Sequence, residues 1–291
     1  MDEKFKGIFP ALLTPFDKND RVNTQVLCEL VDYNLKKGVN GFYVGGSTAE
    51  AFMLSEEERL LVMKTVSERA KGKCTLIAHI GCISTAQAIK FAKAAQEMGY
   101  DAVSSVAPFY YKFSFREIKK YYFDILNAVE LPMLIYNFPA FSGVNLTIDN
   151  IKEFLNNERI IGVKHTSNDY FALEQFKTAF PGKVMYNGYD EMFLAGLSMG
   201  ADGAIGSTFN FMAEKFIKIR QLFLQNDVEG AQKIQREANA IIQALCKVGV
   251  MQGEKAVLDA LGFDFGSARA PFEPLTEEQK KGMLDIVLPL L

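Results

Sequence analysis

The apolar run "IIGVKHTS" at residues 160–167 would read as a buried strand but for Lys164, which sets an ammonium group inside it. Burying an unpaired charge costs several kcal/mol or more, and a lysine so placed tends to lose its proton instead. The segment alone leaves two arrangements open. Lys164 either lies at the strand's end and snorkels to water along its methylene stem, or it is held dry as a neutral amine. Strand residues two apart share a face, so Gly162, Lys164 and Thr166 project together while His165 points the opposite way. A neutral amine in a dry pocket attacks carbonyl carbons and forms a Schiff base. The iminium is an electron sink, so a carbon–carbon bond two atoms away can break into an enamine. A proton shuttle is then required, and Tyr136, closing the neighbouring run "LPMLIYNFP", is the natural candidate. A core tyrosine with a satisfied hydroxyl is the plainer alternative.

Other polar residues also fall at the ends of apolar runs. Ser47 and Thr48 in "GGST" make a plausible nest of donors for a carboxylate, and the same residues suit an ordinary turn. Tyr110 closes the run "AVSSVAPFY". Gly188, Asp190 and Glu191 follow "KVMYN", and Ser207 follows "GAIG". The acidic pair suits sugar hydroxyls; it equally suits the first turn of a helix, where acids favour the macrodipole.

The elements that must position these residues alternate from one end of the chain nearly to the other. Short apolar runs rich in β-branched and aromatic residues, from "GIFPALLTPF" to "GAIGS", have the character of buried parallel strands. Between them lie segments with helical spacing, such as Leu27, Leu30, Val31 and Leu35. Capping boxes are predicted at Ser55…Glu58, Ser84…Gln87, Ser114…Glu117 and Thr276…Gln279. Gly38, Gly99 and Gly200 stop helices in a weak repeat, "GVNG", "GYDA" and "GADG", each opening the next strand. Eight strand–helix units in about 225 residues predict an α/β fold, a (β/α)8 TIM barrel over residues 1–227. Residues 228–291 read as extra C-terminal helices packed on that barrel as one structural unit. In such a barrel the polar residues above gather at the C-terminal mouth, and a snorkelling escape for Lys164 becomes harder.

Composition narrows the function classes. With 49% apolar residues and a net charge of −3, the 291-residue chain should be soluble, with no basic patch for nucleic acid or an anionic membrane. No apolar run reaches the ~18 residues of a membrane span. The charged opening "MDEKFKGIFP" and four cysteines without a Cys-x-x-Cys pair make a cytoplasmic protein with free thiols the expectation. A serine hydrolase fits poorly, because "GGSTA" lacks the last glycine of the nucleophile elbow and the capped helix starts too late. Two histidines on different strands, His79 and His165, do not make a metal-dependent aldolase. Two readings remain from the residues: a Schiff-base aldolase acting on a keto acid, and a barrel that binds such a ligand without turnover.

The motifs "YVGGSTAEAF", "APFYYKFSF", "YNFPAFSGV", "GVKHTS", "YNGYDEMF" and "GADGAIGST", in this order over essentially the whole chain, resemble the N-acetylneuraminate lyase (sialic acid aldolase) family of the dihydrodipicolinate synthase superfamily. The resemblance implies reversible cleavage of N-acetylneuraminate to N-acetylmannosamine and pyruvate, without metal or organic cofactor. It implies Lys164 as the Schiff-base lysine, Tyr136 as the proton shuttle, and Ser47 and Thr48 as the carboxylate site. Thr166, Gly188, Asp190, Glu191 and Ser207 would hold the hydroxylated tail. Tyr110 would reach a neighbouring subunit's site, which implies a homo-oligomer, usually a tetramer. Dihydrodipicolinate synthases carry an arginine where Phe141 stands in "YNFPAFSG", which argues against that activity. One departure is Ala49, where the family has glycine. If that position needs a positive φ, alanine strains the loop, and Ala49→Gly should change KM more than kcat.

Overall fold

The computed structural model describes residues 2–291. Eight strands form one parallel sheet: Gly7–Pro10 (β1), Gly41–Val44 (β2), Thr75–His79 (β3), Ala102–Val106 (β4), Met133–Asn137 (β5), Ile160–His165 (β6), Val184–Asn187 (β7) and Gly203–Gly206 (β8). Each pairs with its sequence neighbour, and β1 pairs with β8. The ring closes between β1 and β2, where the Leu12 N–H donates to the Tyr43 carbonyl and Asn40 N–H to Ile8. Helices lie outside the strands, so the chain is a (β/α)8 barrel.

Strand alternation divides the apolar residues into two layers. Phe9, Tyr43, Ile77, Leu134, Tyr186 and Ile205 fill the barrel interior. A larger layer, including Phe42, Val103, Ile135 and Val163, lies between strands and helices. The first strand is shorter than the run "GIFPALLTPF" suggests. It stops at Pro10, which has no N–H to donate, and only a bridge from Ala11 to Tyr43 continues it.

The glycine repeat acquires a structural meaning. Gly38, Gly99 and Gly200 all have positive φ, at 82°, 82° and 91°. Two residues after each, a short polar side chain caps the first N–H groups of an adjoining strand. The Asn40 amide oxygen accepts from Ile8 at 2.9 Å, the Asp101 carboxylate from Leu76 at 2.9 Å, and Asp202 from Met185 at 2.9 Å. The repeat therefore ends a helix and satisfies strand donors at the closed bottom of the barrel. Three of the four predicted capping boxes form, at Ser55, Ser114 and Thr276. Ser84 does occupy the N-cap of the helix Thr85–Met98, but its side chain makes no capping bond.

After the last barrel helix, Phe209–Leu224, come the helices Val228–Val248, Val250–Ala260 and Glu277–Val287. The first packs along Phe209–Leu224 and touches the short helix Phe193–Ser198. Among the described residues, no helix is long and apolar enough to cross a membrane.

Candidate active site

A cavity of about 750 Å³ opens at the C-terminal ends of the strands. Ser47, Thr48, Tyr136, Lys164, Thr166, Gly188, Asp190, Glu191 and Ser207 all line it. Residues from five different strand ends thus converge, and Lys164 is the one basic side chain among those lining the space. The volume suits a ligand of drug or sugar-acid size.

Register explains the central pair. Tyr136 on β5 and Lys164 on β6 are direct partners across the ladder and point into the barrel together. The Lys164 residue is 5% exposed, and its Nζ lies 4.3 Å from the Tyr136 ring centroid and 4.5 Å from that of Tyr43. Burial pushes its amine down to about 7, and only the charge of Asp190 pulls the other way. A neutral, nucleophilic form of the lysine is therefore accessible near neutral pH. Burial also raises the Tyr136 phenol above its ordinary value, while the Thr166 and Ser47 hydroxyls beside it act in the opposite sense. The Thr166 hydroxyl is buried with no aligned hydrogen-bond partner in the protein.

Ser47 begins a single turn of 3-10 helix, Ser47–Ala49, behind the N-cap Gly46. The leading N–H groups of a helical turn have no partner within it, and glycine supplies no capping side chain. Two hydroxyls and free N–H groups therefore meet at the cavity wall, a neutral set of donors for a carboxylate. The strained position in this loop is Glu50, at φ 57°, and not Ala49, which has an ordinary helical backbone. This corrects the expectation that Ala49 strains the loop. Glu50 is anchored by a buried ion pair with Lys255 at 2.5 Å and by the Arg269 N–H at 2.6 Å. Ala49→Gly should accordingly leave KM for the keto acid within about twofold and lower stability by ~0.5–1 kcal/mol through backbone entropy. A tenfold shift in KM would restore the strained-loop reading.

The two acids differ in environment. Asp190 is buried, and one of its oxygens accepts from the Thr208 N–H at 2.9 Å and hydroxyl at 2.6 Å. Burial raises its carboxyl to about 6 in spite of those bonds. Its other oxygen fits because residue 206 is glycine, where a Cβ would come within 2.1 Å of it. Glu191 is exposed at the mouth, and Asn239 and Gln235 of the helix Val228–Val248 bond the carbonyls of this turn. Gly188 is required for a similar reason, since a Cβ there would meet the Thr166 hydroxyl at 1.9 Å. Its N–H is given to the His165 carbonyl, so its own carbonyl is what it can offer a ligand.

Tyr110 is the predicted residue that the structure does not bring in. It lies four residues beyond β4, is 84% exposed with φ 76°, and stands edge-on to Tyr111 outside the cavity. Neither histidine has a free nitrogen for a base. His79 donates from Nδ1 to the Gly45 carbonyl and accepts from the Val106 N–H, and burial takes it down to about 3. His165 donates to the Asp169 carbonyl and accepts from Asn137, packed outward on Phe176. Sequence reasoning missed Tyr43, whose inward position after "GF" was legible but whose contact with Lys164 was not. It also missed the apolar wall of Phe109, Phe138 and Met251.

A parallel barrel whose mouth holds a desolvated amine beside a phenol has the architecture of a carbon–carbon lyase that works through an imine. The chain belongs to the Dihydrodipicolinate synthetase family, which it matches over residues 4–288. It is 46% identical over 282 residues to the N-acetylneuraminate lyase of Salmonella paratyphi B, covering 96% of this chain and 94% of that protein. The solved structure of CdNal from Clostridium difficile in complex with mannosamine superposes with a TM-score of 0.96 at 38% identity, covering 99% of both chains. The N-acetylneuraminate lyase of Fusobacterium nucleatum complexed with pyruvate gives 0.95 at 37% identity, over 100% of this chain and 98% of that one.

Proposed function

We propose that this protein reversibly cleaves N-acetylneuraminate to N-acetylmannosamine and pyruvate, with Lys164 forming the Schiff base. The observation that carries the reading is the amine itself, held dry between two aromatic faces, titrating near neutrality and unbonded by any side chain. The names of the similar proteins support the substrate. The absence of a basic side chain at Phe141, on the cavity rim, supports it over dihydrodipicolinate synthesis.

In this reading Ser47 and Thr48 hold the keto acid's carboxylate, which sets the carbonyl carbon against the Lys164 amine. Loss of water leaves the iminium. Tyr136 gives its proton to the carbinolamine hydroxyl as that leaves as water, so a phenolate remains beside the iminium and accepts the proton of the aldol hydroxyl. The carbon–carbon bond breaks with its electrons moving into the enamine. Tyr136 returns the proton to carbon, and water releases pyruvate from Lys164. The electron sink is the lysine's own imine, so the reaction has no step for a metal or organic cofactor. Thr166, the Gly188 carbonyl, Asp190, Glu191 and Ser207 contact the hydroxylated tail.

The same reading makes the protein a cytoplasmic homo-oligomer, a tetramer, with Tyr110 acting in a neighbouring subunit. The exposed pair Tyr110 and Tyr111 supports such a contact. Residues 1–227 and 228–291 act together, since Cys246 and Gly249–Gln252 close one side of the cavity.

The test adds N-acetylneuraminate with borohydride, maps the mass increase by digestion, and follows pyruvate release without borohydride. A reduced adduct on Lys164 with pyruvate release is expected. An adduct with pyruvate but none with N-acetylneuraminate would keep the aldolase and move the substrate to another 2-keto-3-deoxy sugar acid. No adduct with either would leave a binding protein.

A further inference from the structure

Beneath the cavity lies an aromatic ring that the proposed reaction does not use. Tyr43 on β2 is fully buried and does not line the space itself, yet the Lys164 Nζ stands over its ring, 4.5 Å from the centroid. No side chain bonds that nitrogen, and Asp190, the one charge acting on it, is bonded to Thr208. The ring of Tyr43 is held on several sides. Its hydroxyl shares a hydrogen bond of 3.0 Å with Ser104 on β4. The Tyr136 ring stands edge-on to it with centroids 6.1 Å apart, and His79 lies at 5.9 Å. Gly46, ahead of the Ser47 turn, leaves room for it, since a Cβ there would come within 2.8 Å of the ring. Burial keeps the phenol protonated, so Tyr43 brings neither a base nor a charge. What it offers the nitrogen is the electron-rich face of a ring that cannot turn away.

We propose that Tyr43 is a catalytic residue whose ring face stabilises the positive charge of the iminium, which forms on the Lys164 nitrogen 4.5 Å from the ring centroid with no bonded counter-ion. The neutral amine that attacks gains little from the ring, and the cation that follows gains much. The contact is therefore stronger in the intermediate than in the starting state. Because the ring is fixed beforehand, no reorganisation opposes that gain. Tyr136 offers a second face at 4.3 Å, but replacing it disturbs the proton shuttle as well, so the contact is separable only at Tyr43. This inference rests on the Lys164 Schiff base proposed above.

Tyr43→Leu, Tyr43→Phe and phenylalanines carrying one, two or three ring fluorines at this position test it in the full-length protein. Each is equilibrated with pyruvate at about pH 9, above the titration of the amine, and then pulsed with borohydride. Leucine should raise the pyruvate concentration at half-maximal trapping by about 3–30-fold, the worth of one contact between a cation and a ring. Phenylalanine keeps the face and loses only the Ser104 bond, so its shift should stay below about threefold while its melting temperature falls. Each fluorine draws electron density from the face at nearly constant shape. Half-saturation should therefore rise stepwise along the series, and kcat for N-acetylneuraminate cleavage should fall with it. A flat fluorine series overturns the inference and leaves Tyr43 a packing residue, whether or not the leucine variant folds. Phenylalanine as impaired as leucine also overturns it, because the hydroxyl would then be what matters. Wild-type protein that traps no pyruvate is a different failure: the Schiff base itself falls, and this inference with it.

Discussion

Lys164→Met abolishes the trapped adduct and lowers pyruvate release by about 10³-fold or more, because no other side chain in the cavity can form the imine. Methionine matches the stem of lysine and belongs in apolar surroundings, so the variant folds and gains stability. The pH dependence of that gain has a definite sign. Burial lowers the lysine's pKa from 10.5 to about 7 in the folded protein. Below pH 7 both states carry the ammonium, and the folded state bears its full burial cost. Between about 7 and 10.5 the folded state has lost the proton that the unfolded chain still holds, so wild-type stability rises with pH. The advantage of methionine is therefore largest at pH 7 and below and shrinks above it. Melting curves of both proteins from pH 6 to 9 check this. Trapping of pyruvate by the wild type should climb through pH 7 and then level off. A rate still climbing at pH 10 would mean an ordinary, solvated lysine and would remove the basis of the proposed function.

Tyr136→Phe lowers kcat for N-acetylneuraminate cleavage by about 10²–10⁴-fold, the usual worth of a positioned acid–base group. The ring is retained, and with it the stacking on Phe138 at 5.6 Å and the edge contacts with Tyr43 and His79. The variant should keep its melting temperature within a few degrees. Pyruvate should still be trapped on Lys164, more slowly, since nucleophilic attack needs the amine and not the phenol. Steady-state kinetics and trapping together separate these roles. If cleavage falls less than about tenfold, Tyr136 is a packing residue and another group carries the proton.

Stability and chemistry oppose one another in this cavity. Lys164, Asp190 and Glu254 are all buried ionisable groups, and burial moves each toward its neutral form. Replacing Lys164 or Glu254 with an apolar residue of similar size should stabilise the fold, whereas replacing Asp190 would strand the buried Thr208 N–H and hydroxyl that it accepts from.

Much of this protein was legible without coordinates, and for a physical reason. Strand and helix signals are local: an apolar run between a glycine stop and a capping serine reads as a strand whatever lies across the barrel, and all eight were found. The alternation of side chains along β6 is also local, which is why Lys164 and Thr166 could be turned inward and His165 outward from "GVKHTS" alone. The anomaly of a cation in an apolar run marked the site. Tertiary structure decided what those inward side chains meet. Tyr43 reaches Lys164 only because the ring closes between β1 and β2. Asp190 finds Thr208, and needs Gly206 beside it, through the pairing of β7 with β8. The left-handed residue of the Ser47 loop is Glu50 rather than Ala49 because Lys255 and Arg269, more than 200 positions away, hold it there. Glu254 reads in sequence as one more charged residue on an amphipathic helix, and only the packing of that helix over the barrel mouth makes it a fully buried acid. Local pattern determined which way each residue points; the closure of the barrel and the docking of its last helices determined what lies opposite.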